Sequence, residues 1–295
     1  MKTATTIELV GHTPLVDLSG LVGKPGVSIF GKAEGNNPGG SVKDRPALNM
    51  VLGAEARGEL RPGVKIIEAT SGNTGIALAM ISAMKGYDIE LVMPESATRE
   101  RVLAMRAYGA TVTLTPAAQR MEGATDYARA KVAAGGYLML DQFSNPDNWR
   151  AHERSTGPEI WAQTDGRITH LVSAMGTTGT IMGCSRYLKS RNAAVQVVGA
   201  QPEGDSRIPG IRRWPVAYRP KIFDPAWVDR TVDVSEAAAR AMTRRLAQEH
   251  GVSCGMSAGG AAHVAISVAA EVDDGVIVFI LCDRGDRYLS TDLFA

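Results

Sequence analysis

Short apolar runs rich in β-branched residues recur along the whole chain, with helical segments between them. Several of these runs are continuous rather than alternating, which is typical of parallel strands buried on both faces of a sheet. Strands that alternate with helices predict an open, layered α/β fold. The candidate strands are residues 27–30, 64–69, 89–93, 111–115, 137–140, 169–174, 195–200 and 276–281.

Between these runs, residues 51–60, 74–86 and 99–110 carry helix formers, and Gly86 and Gly109 stand where glycine commonly ends a helix. The segment 203–227 differs, because its prolines and clustered arginines exclude long helices. Long irregular segments in compact enzymes are often functional, so this one is either a lid at a substrate site or a surface excursion without a role.

Length and composition narrow the class of protein. A chain of 295 residues exceeds the usual size of one compact domain and predicts two. Hydrophobic residues make up 44% and charged residues 21%, as in ordinary globular proteins. The formal net charge is +1 and the basic residues are scattered, which argues against a nucleic acid or a membrane surface as partner. We therefore expect a small-molecule partner.

The apolar runs and the cysteines predict the cellular compartment. No apolar run approaches the roughly 18 residues that a membrane span needs, and residues 1–16 lack the apolar core of a signal peptide. Cys184, Cys254 and Cys282 are far apart and odd in number, which favours free thiols in a reducing compartment and forms no metal motif. We expect a cytoplasmic protein without a bound metal.

Glycine-rich turns mark the candidate ligand site. Residues 70–75 and 176–180 each follow a predicted strand, and residues 254–260 follow a predicted helix. Ligands of open α/β sheets bind at the carboxyl ends of the strands, so convergence of these turns would make one pocket.

The turn 176–180 favours a phosphate. Its backbone N–H groups at a helix start and its threonine hydroxyls are donors suited to an anion. The turn matches neither G-x-G-x-x-G nor the Walker pattern, so one phosphate of a small cofactor fits better than a dinucleotide or a nucleoside triphosphate. A plain turn with capping threonines is the alternative. The residues are Gly176, Thr177, Thr178, Gly179 and Thr180.

The turn 70–75 favours a carboxylate. Ser71, Asn73 and Thr74 present amide and hydroxyl donors that bind a carboxylate without a buried cation. A capped helix start would explain the same residues. Ser257 stands at a predicted helix N-cap, and capping alone would justify a serine there.

Lys43 is the candidate nucleophile. We predict that Ser41 caps a helix running through Ala47 to Arg57, and Pro46 requires this helix to begin near Lys43. The positive end of the helix dipole then lowers the pKa of the amine, which favours Schiff-base chemistry. A solvated surface lysine is the alternative.

Six motifs in order along the chain resemble those of the fold type II pyridoxal-phosphate enzymes of the cysteine synthase family. They are NNPGGSVKDR, EATSGNTGIALAM, DQFSNPDN, AMGTTGTIMG, PGIRRWP and CDRGDRYLST. The resemblance implies a fold like that of the tryptophan synthase β chain, with two open twisted α/β domains and the cofactor between them. It implies a smaller domain at 37–147 with the carboxylate loop, and a larger one at 1–36 plus 148–295 with the phosphate loop. A homodimer is also implied.

The resemblance assigns a role to each candidate residue. Lys43 would bind pyridoxal 5′-phosphate covalently, and Asn73 would bond the phenolic oxygen of the cofactor. Gly176, Thr177, Thr178, Gly179 and Thr180 would hold its phosphate, and Ser257 would face its pyridine nitrogen. The α-carboxylate of the substrate would be held by Thr70, Ser71, Thr74 and Gln142.

The implied activity is β-replacement in cysteine biosynthesis, in which O-acetyl-L-serine and sulfide give L-cysteine and acetate. Lys43 would remove and return the Cα proton as general base. Three alternatives remain open. One is a pyridoxal-phosphate dehydratase of serine or threonine, another is a non-catalytic regulatory relative, and the third, a nicotinamide dehydrogenase, lacks its glycine fingerprint here.

Two motifs resemble the B type of the family more than the A type. Cys282 and the charges after it stand where the A type has proline and serines, and PGIRRWP adds arginines. We hypothesise that Arg212 and Cys282 enlarge and polarise the pocket, which allows thiosulfate as an alternative to sulfide, with S-sulfocysteine as the product. The alternative for Cys282 is a buried thiol at a strand end.

Overall fold

Residues 3–295 are described by a computed structural model. Along the chain the strands are β1 (Leu15–Asp17), β2 (Val27–Ala33), β3 (Lys65–Ala69), β4 (Ile89–Pro94), β5 (Thr111–Thr115), β6 (Tyr137–Leu138), β7 (His170–Ala174), β8 (Gln196–Pro202), β9 (Arg230–Val234) and β10 (Gly275–Leu281). The α-helices are α1 (Asp44–Ala56), α2 (Asn73–Lys85), α3 (Arg99–Ala107), α4 (Arg120–Ala134), α5 (Pro146–Arg154), α6 (Thr156–Gln163), α7 (Gly179–Arg191), α8 (Glu236–His250) and α9 (Met256–Glu271).

The chain divides into two compact units. Unit 1 contains residues 3–10 and Lys43–Asn148, and unit 2 contains Gly11–Val42 and Trp149–Ala295. The bounds of these units differ from those of the predicted domains at residues 3–10 and 148, which lie in unit 1, and at residues 37–42, which lie in unit 2. In the part of the chain from residue 3 onward, no helix combines the length and the apolar character that a membrane crossing requires.

Unit 1 is built on a four-stranded sheet in the order β5-β4-β3-β6, with every neighbouring pair parallel. Every residue of β4 is buried, which explains its mostly apolar sequence, with Glu90 as its one charged residue. Ile66 of β3 packs with the apolar side of α2, and Ile67 packs with α4 on the other face. The sheet therefore has helices on both faces.

Unit 2 is built on a six-stranded sheet in the order β1-β2-β10-β7-β8-β9. Only β1 runs antiparallel, to β2, among the strands of residues 11–295. The central strand β10 has the sequence GVIVFIL and is almost wholly buried, since helices and loops cover both of its faces. These two sheets confirm the predicted α/β fold and all the predicted strands, with shifted bounds.

Two strands were not predicted. β1 has three residues, too few to give a pattern, and β9 (RTVDV) carries charges and lies mostly exposed at the sheet edge. The segment 203–227 is irregular as predicted, with one-turn 3-10 helices at Val216–Tyr218 and Pro225–Trp227.

Two helix starts were predicted wrongly. Lys43 itself occupies the N-cap position of α1, because Ser41 forms a β-bridge with Asp283. Ser257 is the second residue of α9, whose N-cap is Gly255. Both errors have the same physical reason. A serine near a helix start favours the N-cap position, but the sequence does not show which groups that serine contacts in the fold.

Candidate active site

Lys43 lies at the first turn of α1 and is half-buried. Its backbone is already helical (φ −75°, ψ −14°), and its carbonyl accepts a hydrogen bond from Ala47 N at 3.0 Å. Pro46 follows in the first turn, where proline costs no helical hydrogen bond. The amine is thus attached to a backbone that the helix fixes.

The segment before Lys43 is held by residues that follow β10. Val42 N donates to the carbonyl of Cys282 at 2.8 Å, and the guanidinium of Arg287 donates to the carbonyl of Gly39. Gly40 has a left-handed φ of +80°, which favours glycine. The motif CDRGDR therefore holds residues 39–42, the part of unit 2 that directly precedes Lys43.

Unit 1 brings together two of the predicted carboxylate-binding residues. Thr74 Oγ1 donates to Gln142 Oε1 at 2.7 Å across 68 residues of sequence, and both side chains are buried. Thr70 Oγ1 accepts a weak bond from Gly72 N at 3.4 Å at the carboxyl end of β3. The loop thus presents uncharged donors next to the start of α2.

Asn73 and Ser71 complete this loop. Asn73 is the first residue of α2, after the N-cap Gly72, and it is half-buried. The carbonyl of Ser71 accepts a bond from Arg101 Nη1 of α3 at 3.3 Å, a contact that the sequence did not reveal. Donors from α2 and the end of β3 therefore share one edge of the sheet of unit 1.

A buried glutamate that the sequence analysis did not single out lies beside this loop. Glu68 of β3 is 4% exposed, and its Oε2 accepts from Leu140 N at 3.2 Å and Asp141 N at 3.1 Å. Desolvation by burial raises the pKa of Glu68 to about 8. The negative charge of Asp141 also raises this pKa, whereas the backbone N–H donors lower it.

Other charges near β3 are engaged elsewhere. Glu90 of β4 accepts a hydrogen bond from Thr113 Oγ1, and the positive charge of Lys131 of α4 attracts its carboxylate. Glu90 lies on the face of the sheet opposite to Glu68. On the side of Glu68, Lys85 of α2 pairs with Glu55 of α1 at 2.9 Å. Asp141 is therefore the charged group that acts on Glu68.

Replacing Glu68 with glutamine should change how stability depends on pH. The pKa of Glu68 is 4.5 for the ordinary group and about 8 in the folded chain, so between these values only the folded chain retains the proton. The free energy of unfolding of the wild type therefore falls as pH rises through this window. We expect the urea midpoints of the two proteins to agree near the lower value and Glu68→Gln to be more stable above the upper one. Parallel pH curves would contradict the expectation.

Unit 2 contains the predicted phosphate loop between β7 and α7. Thr178 is the N-cap of α7 and has a left-handed φ of 71°. A Cβ on Gly176 would lie under 3.0 Å from the carbonyl oxygen of Gly210, a distance that real Cβ atoms essentially never show. The loop therefore passes directly against the backbone of the segment that carries Arg212.

A histidine that the sequence analysis missed supports the end of this loop. His152 of α5 is buried, with Nδ1 2.8 Å from Thr156 Oγ1 and Nε2 3.3 Å from Thr180 Oγ1. His152 lies 28 residues before Thr180, so no local pattern could have revealed the contact.

Ser257 lies beside the same backbone. It is 4% exposed at the start of α9, and a Cβ on Gly210 would be 3.5 Å from its Oγ. The neighbour Gly210 thus connects Ser257 to Gly176, and unit 2 brings these predicted cofactor residues together.

Arg212 belongs to this cluster. Its N–H donates to the carbonyl of Met175 at 3.0 Å, and Trp214 Nε1 donates to the carbonyl of Gly176 at 2.8 Å. The guanidinium of Arg212 lies 5.4 Å from the centre of the Trp214 ring. Arg212 and Thr178 line one cleft with a volume of about 570 Å³.

Cys282 is placed differently. It follows β10, is half-buried, and packs against the core on the side of β10 that contains Ile280. It is not among the residues that line the cleft of Arg212.

The loop 176–180 fits a phosphate group. Within residues 3–295, Thr178 Oγ1 is buried and has no hydrogen-bond partner. A buried hydroxyl of this kind is costly unless a ligand satisfies it. Backbone N–H groups at the start of α7 add donors, and glycine at position 176 keeps the loop narrow.

The family comparison identifies the class. The model of a family described as pyridoxal-phosphate dependent enzyme matches residues 7–283. The chain therefore belongs to the pyridoxal-phosphate-dependent enzymes.

Individual relatives match over almost the whole chain. Cysteine synthase B of Pseudomonas aeruginosa is 56% identical over 290 residues, covering 98% of this chain and 97% of that protein. Cysteine synthase B of Escherichia coli is 54% identical over 291 residues, covering 99% and 96%. The crystal structure of cysteine synthase from Entamoeba histolytica superposes with a TM-score of 0.95 at 36% identity, covering 100% of this chain and 91% of that one. These matches place the chain in the cysteine synthase family and confirm the predicted fold class.

Proposed function

We propose that this chain is a cysteine synthase that uses pyridoxal 5′-phosphate. O-acetyl-L-serine and hydrogen sulfide would give L-cysteine and acetate, with the C–O bond at Cβ broken and a C–S bond formed. The observation that carries the proposal is the 56% identity to a cysteine synthase B across 98% of the chain. The carboxylate loop of unit 1 and the phosphate loop of unit 2 support it.

The chain offers a residue for each part of the cofactor. Lys43 would hold it covalently and Asn73 would bond its phenolic oxygen. The unsatisfied hydroxyl of Thr178 would donate to the phosphate, and Ser257 would face the pyridine nitrogen. When bound, pyridoxal phosphate supplies an electron sink that makes the Cα proton of an amino acid acidic.

Lys43 would move the proton. Its amine would take the proton from Cα of the substrate as general base and later return it. The hydroxyl of Ser257 is neutral, so it would not hold a proton on the pyridine nitrogen as a carboxylate would, which favours rapid loss of acetate.

The loop of unit 1 would orient the substrate. Thr70, Ser71, Thr74 and Gln142 would bind the α-carboxylate through uncharged donors. Because the Thr74 hydroxyl donates its proton to Gln142 Oε1 at 2.7 Å, these two residues would contribute the backbone N–H of Thr74 and the NH₂ group of Gln142. Closure of this loop over the substrate would exclude water from the reactive centre.

A product assay tests the proposal. Purified protein loaded with cofactor is mixed with O-acetylserine with and without sulfide, and the amino acid and keto acid products are separated. We expect cysteine and acetate in equal amounts, only when sulfide is present. Pyruvate without sulfide would favour a dehydratase, and no product from O-acetylserine, serine or threonine would favour a non-catalytic relative.

We also propose thiosulfate as a second sulfur donor, bound with the help of Arg212 and Cys282. Arg212 supports this because it lines the same cleft as Thr178. A divalent anion gains more than neutral hydrogen sulfide from such a charge. The product would be S-sulfocysteine. Cys282 lies outside that cleft and packs against the core after the end of β10.

Replacing Arg212 with alanine is expected to lower kcat/KM for thiosulfate about tenfold more than for sulfide, since a charge-assisted contact is lost only with the anion. Steady-state kinetics with both donors measure the difference. Arg167→Ala is the control, because Arg167 of the same unit is paired with Asp165, does not line this cleft and should affect both donors alike. Equal losses for both donors in Arg212→Ala would end the proposal.

We further propose a homodimer in the cytoplasm, as is expected for the family. The carboxylate loop would belong to a smaller domain at 37–147, and the phosphate loop to a larger one at 1–36 plus 148–295. Light scattering during size-exclusion chromatography measures the oligomeric state, and a monomer at micromolar concentration would contradict it.

A further inference from the structure

Glu68 stands where β3 leads into the carboxylate loop. Its carboxyl group is buried, and a single oxygen, Oε2, accepts from two consecutive N–H groups, Leu140 N at 3.2 Å and Asp141 N at 3.1 Å. Glu68 forms no ion pair with any residue of 3–295. A buried acid without a cation is costly, so its presence at this position calls for a reason beyond packing.

The two bonds fix an unusual stretch of backbone. Asp141 has a left-handed φ of 51°, which is strained for a residue with a side chain, and its carboxylate accepts from Phe143 N and Ser144 Oγ. The N–H groups of Leu140 and Asp141 and the carboxylate of Asp141 all have hydrogen-bond partners. These bonds stabilise the reversal of the chain directly before Gln142.

Gln142 is fixed on its other side as well. Its carbonyl accepts from Asn148 Nδ2 at 2.6 Å, and its side-chain Oε1 accepts from Thr74 Oγ1 at 2.7 Å. With Oε1 engaged, the Gln142 amide turns its NH₂ donors away from Thr74. The contacts run from Glu68 through the backbone of 140–142 to the Thr74 hydroxyl.

We infer that Glu68 is a positioning residue that sets the Gln142–Thr74 pair for binding the α-carboxylate of the substrate, an inference that rests on the proposed function. Glu68 touches neither substrate nor cofactor in this scheme. It acts through the backbone of Leu140 and Asp141, which glutamine at position 68 could also hold, because an amide oxygen accepts the same N–H groups.

The test compares Glu68→Ala, Glu68→Asp and Glu68→Gln as cofactor-loaded proteins. Alanine removes the acceptor, and aspartate withdraws it by one methylene while keeping the acid. We expect both to raise KM for O-acetylserine about tenfold with kcat changed less than about twofold, because binding is lost equally in ground and transition states. Glu68→Gln should keep KM near that of the wild type.

Glu90→Gln is the matched control. Glu90 is a buried glutamate on the neighbouring strand β4 and accepts from Thr113 Oγ1, away from the carboxylate loop. Its KM should remain that of the wild type. If Glu68→Ala does not fold, Glu68→Asp still decides. Unchanged KM in folded Glu68→Asp, or a loss of kcat instead of KM, would overturn the inference.

A binding titration separates this inference from the proposed function. L-serine carries the same α-carboxylate and no acetyl group, and its binding is followed by the absorbance of the cofactor. A wild type that binds serine yet makes no cysteine would refute the proposed function, while weaker serine binding in Glu68→Asp would still support the role of Glu68. Equal serine affinity in both proteins would overturn that role alone.

Discussion

Lys43→Ala is expected to lower kcat for cysteine formation by at least about a thousandfold, because one amine would serve as both covalent anchor and general base. The backbone at position 43 is helical, and alanine is compatible with it, so the fold should persist. The variant should also lack the visible absorbance of a covalently held cofactor. Kinetics and a spectrum of the purified protein measure both effects.

Lys85→Ala is the control for this experiment. Lys85 is at the end of α2 in the same unit and pairs with Glu55 near the surface, so its removal should leave kcat and the spectrum unchanged. A Lys43→Ala protein that retains more than about one tenth of the wild-type rate would rule out Lys43 as the base.

Gly176→Ala is expected to weaken cofactor affinity about a hundredfold, because the added Cβ would lie under 3.0 Å from the carbonyl oxygen of Gly210. The clash is with backbone, which cannot yield as a flexible side chain would. Movement of the backbone at Gly176 or at Gly210 would also break the hydrogen bond from Trp214 Nε1 to the carbonyl of Gly176. Titration of cofactor-free protein with pyridoxal phosphate measures the affinity.

Gly260→Ala provides the comparison. Gly260 is in α9 of the same unit, and a Cβ there would meet its neighbours at 3.5 Å or more, an ordinary contact. Its cofactor affinity should match that of the wild type, and its helix should be slightly more stable. Wild-type affinity in a folded Gly176→Ala protein would show that the loop does not hold the phosphate.

The sequence predicted the fold well where burial is complete. The strand β10 is buried on both faces, so its apolar run is continuous and unambiguous. Short or exposed edge strands lack this signal, which is why β1 and β9 were missed. The start of α1 was misplaced because Ser41 has a partner, Asp283, that lies far along the chain.

The candidate site divides in the same way. The loops 70–75 and 176–180 are local patterns and could be read from glycine, serine and threonine spacing. Glu68 and His152 could not, because their partners are separated from them by 72 and 28 residues. Side chains that support a loop from a distance are visible only once the fold is known.

The order of synthesis matters for the sheet of unit 2. Its second strand, β2, leaves the ribosome early, yet its long parallel partner β10 spans Gly275–Leu281, close to the end of the chain. All strands of unit 1 lie between these two in the sequence. The sheet of unit 1 can therefore form while one edge of β2 still lacks its hydrogen-bonding partner β10. A nascent chain can therefore pair β2 with β1 on one edge, while the other edge stays open until β10 has been made.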